Sequence, residues 1–317
     1  MSAASPPPLS RQLVLSRDID VAGERSEFYS RVRRGEFVCV VRGAYLAATE
    51  WSELDRREQQ RLKSTAVNAL SSTPLVCSHS SAAALWRLPR VGRWPVKEHA
   101  VENIGGPRST SALSRHMVGI PRELERIDGL TVTTLARTVV DVAATHSFGE
   151  GVVAADAALR RTQHPQGEVP RTFLSRDSLL AEWQALPSRH GSARARRTLD
   201  FANGLADRPG ESLSRVNMHL SHLTPPQLQA TVYGASGRRY GGDFWWPEFT
   251  TIGEFDGAFK YSDPEFLNGR TPHQVLLDEK RREDDLRAAG YGFTRWDMSI
   301  ALSPDKLSNH LRRAGIR

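Results

Sequence analysis

Three carboxylates fall on the strands of what reads as a single β-hairpin, Tyr240–Tyr261 (YGGDFWWPEFTTIGEFDGAFKY). Asp243 lies on a run that ends at Trp246, Pro247–Thr250 makes a loop, and Thr251–Gly257 returns with Glu254 and Asp256 alternating against Phe255. A loop of that length pairs Trp246 with Thr251 and sets Asp243 opposite Glu254. Cross-strand neighbours have Cβ atoms roughly 5 Å apart, where like charges destabilise unless something offsets them. Residues two apart on a strand share a face, so Asp256 joins the other two. A divalent cation would offset the cluster. The competing reading is a solvated hairpin face carrying ordinary acids.

The chain of 317 residues is long enough for two or three domains, each with its own core. Lys and Arg number 43 against 36 Asp and Glu, giving a formal net charge of +7. Most of that charge is arginine, the residue suited to bidentate phosphate contact, so an acidic partner, most simply nucleic acid, is favoured. A basic protein with no such partner is the bland alternative. Cys39 and Cys77 lack the paired spacing of a zinc site and read as buried structural thiols. No apolar run approaches the ~18 residues of a membrane helix, and MSAASPPPLS lacks the parts of a signal peptide. A cytoplasmic protein without a membrane partner is expected.

Residues 1–10 read as a disordered leader, because Pro6–Pro8 cannot enter a helix interior. Residues 11–50 then outline a winged helix-turn-helix: a short helix near Gln12–Ser16, a second over Ser26–Arg34, a stop at Gly35, and a strand pair over Phe37–Leu46 turning at Arg42-Gly43. Arg25, Arg31, Arg33, Arg34 and Arg42 would lie on the second helix and the wing, where phosphates and groove edges are met. A basic helical hairpin that caps the next domain is the alternative. Residues 51–165 form an α/β middle region, with helical patterning over Trp51–Leu70, then Leu75–Ser81 as strand into a helix at Ala82–Leu88, and Leu130–Leu135 into Ala136–Ala144. His79 and His116 have no Ser–Asp or metal-ligand arrangement at known spacing and read as structural. Residues 166–205 are a linker and a basic helical segment; Arg194 and Arg196, within RHGSARARR, either track a phosphate backbone or form a solvated face.

In residues 206–317 the pattern is helix, strands, helix, strand. Glu211–Leu223 is amphipathic, with Leu213, Val216, Leu220 and Leu223 on one face and Glu211 in the first turn. Leu228–Tyr233 supplies a strand, the hairpin follows, and a loop spans Ser262–Thr271. His273–Ala289 is a helix closed by Gly290, and Phe293–Asp297 is a strand. The order αβββαβ is that of a restriction-endonuclease-like core, and the chain as a whole is expected to be α/β (α+β).

The spacing of Asp243 to Glu254-x-Asp256, the Glu-x-Asp-Gly turn and the later LDEKRREDDLRAAGYGFTRW resemble a Vsr-like, PD-(D/E)XK-type nuclease domain found in many actinobacterial proteins. Upstream, RRGEFVCVVRGAYLA, SHSSAAALWRLP and TVTTLARTVVDVA resemble the AbiEi-family antitoxin domains of type IV toxin–antitoxin systems, which begin with a winged helix. The nuclease resemblance implies that Asp243 and Glu254 bind Mg²⁺, or Mn²⁺, with Asp256 in the cluster and Glu211 at an acidic first-helix position that adds a metal contact in relatives. In that family a lysine two residues after the Glu assists the attacking water; Asp256 stands there instead. Lys260 would reach back in its place, or Lys280 or Arg282 from the following helix. The implied catalytic set is Asp243, Glu254, Asp256, Lys260 and Arg282.

These residue types suit phosphodiester hydrolysis: carboxylates hold Mg²⁺ with retained waters, the metal lowers the pKa of a bound water, and a nearby cation stabilises developing charge. Trp245, Trp246 and Tyr261 either stack bases or pack the sheet. The expectation is a metal-dependent DNA endonuclease with an antitoxin-like DNA-binding region, serving phage defence or DNA processing, with DNA and a cognate toxin or defence component as partners. The alternatives are a non-catalytic DNA-binding regulator and a mismatch or lesion repair endonuclease.

Overall fold

The computed structural model describes residues 13–19, 22–163, 174–187, 189–257 and 271–317. These form a mixed α and β protein divided into two compact units, Met1–His146 with Gly167–Arg197, and Ser147–Gln166 with Thr198–Arg317.

The first unit opens with β1 (Val14–Leu15), α1 (Ala22–Arg33), β2 (Phe37–Val41), β3 (Ala44–Ala47), α2 (Ala48–Glu53) and α3 (Arg56–Leu70). The three strands form a sheet of order β1-β3-β2. The helix expected near Gln12–Ser16 is therefore corrected: Val14 and Leu15 pair with Tyr45 and Ala44, and one 3₁₀ turn follows at Ser16–Asp18. The reason is packing. Leu13 and Leu15 lie against Val40, Leu46 and Leu62, and a five-residue helix has too few internal hydrogen bonds to compete. Gly35 ends α1 at φ 80°, where the Glu36 N–H reaches the Arg31 carbonyl as a left-handed cap requires. The helical run expected over Trp51–Leu70 breaks at Asp55, whose carboxylate accepts from the Arg57 and Glu58 N–H groups and starts α3. Cys77 is buried but Cys39 is exposed, a second correction: Val40 points into the core, so its strand neighbour points out.

A five-stranded sheet of order β6-β5-β4-β8-β7 follows, built from β4 (Val76–Cys77), β5 (Glu98–Glu102), β6 (Leu113–Met117), β7 (Leu124–Ile127) and β8 (Leu130–Thr133), with α4 (His79–Leu85) and α5 (Leu135–Thr145) between and after them. Next come α6 (Phe148–Gln163), α7 (Arg176–Ala185) and α8 (Ser192–Phe201).

The second unit adds α9 (Pro209–Leu220), β9 (Gln227–Tyr233), β10 (Arg239–Trp246), β11 (Thr251–Asp256), α10 (Pro272–Ala288), β12 (Gly292–Asp297), α11 (Met298–Ala301) and α12 (Pro304–Arg313). Its sheet has the order β12-β11-β10-β9; β9, β10 and β11 are antiparallel neighbours, while β12 runs parallel to β11 after the α10 crossover. One face buries Phe244, Trp246, Phe255 and Trp296 with Met218 of α9 and Leu307 and Leu311 of α12. The other buries Val232 and Ile252 against Leu286 of α10. Helix α6 joins this unit through a buried ion pair, Asp156 to Arg215, at 2.7 Å. Among the described residues no helix is long and apolar enough to cross a membrane. Lys260, Tyr261, residues 262–270 of the expected loop and the expected leader, residues 1–10, lie outside the described residues.

Candidate functional site

Trp246 pairs with Thr251, Trp245 with Ile252 and Phe244 with Gly253, so the same offset sets Asp243 level with Glu254. Side-chain alternation along β10 breaks there. A Cβ on Gly242 would meet Ile252 on the α10 face, yet Phe244 sits in the core on the α9 face. Opposite this break on β9, Gln229 adopts φ 48°, a left-handed conformation that costs a non-glycine residue energy and clusters at functional positions. The Asp243 carboxylate accepts the Phe255 N–H at 3.0 Å, occupying a donor of β11.

Glu254 is buried, 6% exposed, and its charge is offset by two guanidiniums. Arg282 of α10 reaches one carboxylate oxygen at 2.6 Å, and Arg295 of β12 reaches the other at 2.9 Å. Arg295 is the direct neighbour of Glu254 in the parallel register and also meets Glu283 at 2.9 Å. The compensating cation that the hairpin charges demand is thus supplied, for Glu254, by side chains. Arg282 further donates to the Gly241 carbonyl.

Glu211, on the first turn of α9, is brought to the sheet by its neighbour. A Cβ on Gly210 would lie 2.0 Å from the Phe255 ring, so only glycine lets the helix approach this closely. The Glu211 carboxylate accepts from the Asp207 N–H at 2.8 Å and from the Gln229 amide at 3.2 Å. Burial, and next the nearby Asp243 charge, push its pKa up to about 8. Arg208, capping the same helix, works in the opposite direction. Asp256 is half-buried at the end of β11 and its charge acts on Arg295.

Among the described residues no three His, Cys, Asp or Glu side chains converge as a metal ion requires. The chemistry of Glu211 and Asp243 nevertheless suits one: a carboxyl kept protonated by its burial and by the Asp243 charge would release that proton to a divalent cation, which commonly takes one or two protein carboxylates plus waters and substrate phosphate. Lys280 is exposed on α10, and Lys260 lies outside the described residues. Trp246 is buried in the core, with its indole N–H on the Thr224 carbonyl at 2.8 Å, so of its two readings it packs the sheet. Trp245 packs edge-on against Tyr291. The sequence missed Arg208, Arg295 and Gln229; only the pairing of β12 with β11 and the strain on β9 mark them.

The expected DNA-binding arginines differ in their surroundings. Arg31 and Arg34 both bind Glu36 at 2.7 Å, which lowers the Glu36 pKa. Arg25 donates to the Ile19 carbonyl, Arg33 to Ser30, and Arg42 is exposed on the β2–β3 turn. Arg194 donates to the Ala144 carbonyl, the C-terminal end of α5, and Arg196 lies 5.3 Å from the Trp183 ring.

The first unit holds a second polar assembly. His79 and His116 stack with ring centres 3.6 Å apart, and His116 hydrogen-bonds His99 at 2.9 Å. Burial first, then neighbouring positive or titrating groups, lowers the pKa of His79 and His99, the latter to about 4. Asp141 holds Arg137 at 3.0 Å and Arg189 at 2.6 Å and lies 3.8 Å from His79. The sequence offered no Ser–Asp arrangement at known spacing; in the fold Ser78 hydrogen-bonds the His79 ring at 2.9 Å and Asp141 lies beside it. With the rings stacked and neutral, the arrangement packs the interior.

Two proteins of Mycobacterium tuberculosis are similar to this chain. Uncharacterized protein Rv2248 of strain H37Rv and uncharacterized protein MT2308 of strain CDC 1551 are each 27% identical over 277 residues, covering 84% of this chain and 94% of theirs. No family model matches the chain, and no solved structure gives a significant match.

Proposed function

We propose that the second unit is a metal-dependent DNA endonuclease built on a restriction-endonuclease-like core, carried by a chain whose N-terminal region is a DNA-binding, antitoxin-like winged helix. The observation that carries the reading is the meeting of Glu211 and Asp243 at a strained point of the sheet, one strand from the buried Glu254. A buried carboxyl whose pKa is raised by its burial and by a neighbouring carboxylate marks a candidate functional position. Glu211 and Asp243 would hold Mg²⁺ or Mn²⁺, with Glu254 or Asp256 completing the set. When bound, the metal would acidify a water and polarise the scissile phosphate.

The chain's own residues divide the remaining work. Arg282 and Arg295, now on Glu254, are placed to exchange that carboxylate for a phosphate oxygen, since guanidinium binds both in the same bidentate fashion. Arg208 adds positive charge on the α9 side. Asp256, at the position where related nucleases carry lysine, keeps an acidic character there, and Lys260 is the nearest lysine in sequence. Exposed Arg33 and Arg42 are better placed to meet phosphates than Arg31 and Arg34, which share Glu36.

Purified protein incubated with single-stranded, duplex and branched DNA tests this. Cleavage should require Mg²⁺ or Mn²⁺ and disappear in Glu254→Ala and Asp256→Ala. No cleavage of any of these substrates, together with no divalent-cation binding, would overturn it. A second reading, a DNA-binding regulator with a degenerate nuclease domain, is favoured by the arginine clamp on both oxygens of Glu254. It predicts salt-sensitive promoter binding that is lost on changing Arg33 and Arg34 and is indifferent to Asp243.

A further inference from the structure

We propose that a basic concavity in the first unit, at the N-terminal half of α3, binds the phosphate backbone of a nucleic acid. It encloses about 680 Å³ between Arg56, Arg57 and Lys63 of α3 and Arg90, Arg93 and Trp94 of the segment that follows α4. The inference goes beyond the nuclease reading: it concerns a different unit, and it holds whether or not the carboxylate site hydrolyses DNA.

Charge is the first argument. Five cations line the concavity against one carboxylate, Asp55. That carboxylate is turned to the start of α3, where it accepts from the Arg57 and Glu58 N–H groups at 2.7 and 2.8 Å. Among the described residues no ion pair engages Arg56, Arg57, Lys63 or Arg93. Beneath the lining residue Gln60 lies Glu98, 3% exposed, which takes hydrogen bonds from Gln60, Ser64 and Ser81. It is a carboxyl enclosed in the interior, where the Lys63 charge acts on it, whereas Arg56 and Arg93 are exposed.

Rigidity is the second. Arg57 donates to the Arg87 carbonyl at 3.2 Å. Arg90 donates from Nε to the Arg93 carbonyl at 2.7 Å, and its guanidinium lies 5.6 Å from the centre of the Trp94 ring. A guanidinium fixed this way presents its remaining donors without first losing rotamer freedom, which is where arginine exceeds lysine for phosphate. Helix α3 is itself anchored, since Leu62 and Ala66 pack with Val40 and Leu46 of the N-terminal sheet.

A polyanion follows from the combination. Several cations spread over a wide concavity suit successive phosphates, and the arginine-flanked tryptophan offers a flat surface for a sugar or an unstacked base. An isolated carboxylate ligand would leave most of the positive charge unmatched.

Fluorescence anisotropy of the full chain with a labelled duplex, in EDTA so that no cleavage intervenes, tests the proposal across a range of KCl concentrations. Arg56→Ala/Arg93→Ala should weaken binding about tenfold and make the slope of log K against log [KCl] shallower by about 2, as loss of two phosphate contacts requires. Both side chains are exposed, so the fold should survive; Arg93→Glu alone is an independent variant expected to weaken binding too, and Arg56→Lys/Arg93→Lys should restore the slope. Unchanged affinity and slope in both weakening variants would overturn the proposal. So would micromolar binding of inorganic phosphate or AMP lost in the double variant while duplex affinity stays intact, because the site would then serve a small phosphate ligand.

Discussion

Glu211→Gln should make the protein more stable and, on the endonuclease reading, inactive. Glu211 is 3% exposed, and folding raises its pKa from 4.5 to about 8. A carboxyl raised in this direction makes its full contribution to stability below the unfolded pKa and loses it as pH climbs through the folded one. Between pH 4.5 and neutrality each pH unit removes about 1.4 kcal/mol, so the wild-type penalty near pH 7 reaches about 3 kcal/mol. Glutamine removes the ionisation, and its carbonyl can still accept from the Asp207 N–H. It loses the option of donating a carboxyl proton, so a net gain of about 1–3 kcal/mol is expected. Urea unfolding of both proteins across this pH range measures it. The gap between variant and wild type should widen from pH 4.5 towards pH 8 and then level off. A gap independent of pH, or a destabilised variant at every pH, would refute the assignment of a trapped proton to Glu211. Metal binding should share this dependence, tightening as pH rises towards 8 because the proton must leave.

Two further substitutions probe how the site is held. Arg295→Ala leaves buried Glu254 with Arg282 alone and Glu283 with Arg287 alone; Arg295 is a third exposed, so a discounted loss of about 1–3 kcal/mol is expected in chemical denaturation. Gly210→Ala sets a methyl against the Phe255 ring; about 1–3 kcal/mol of stability should be lost and, on the endonuclease reading, most cleavage with it, as α9 and Glu211 are pushed off the sheet.

Much of the second unit was legible because its signals are local. The loop Pro247–Thr250 fixed the hairpin register and Gly290 marked the end of α10 at φ 92°; the periodicity of α9 was only part of its burial, since Leu213 and Val216 are buried but Leu220 is 44% exposed and residues 210–218 are buried on every side. Arg295 was not legible, since its place beside Glu254 arises from parallel pairing across a crossover helix. The same holds for the histidine stack, whose rings come from α4, β5 and β6, and for the union of α6 with α9 through Asp156 and Arg215. Val14–Leu15 shows the opposite failure: two apolar residues carry no period, and pairing with β3 decided them.

A crystal soaked in Mn²⁺ tests the central claim most directly. Anomalous density within coordinating distance of both Glu211 and Asp243, with Glu254 or Asp256 turned towards it, is the predicted result. A carboxylate site free of anomalous density at saturating Mn²⁺, with Glu254 still clamped by Arg282 and Arg295, would contradict it.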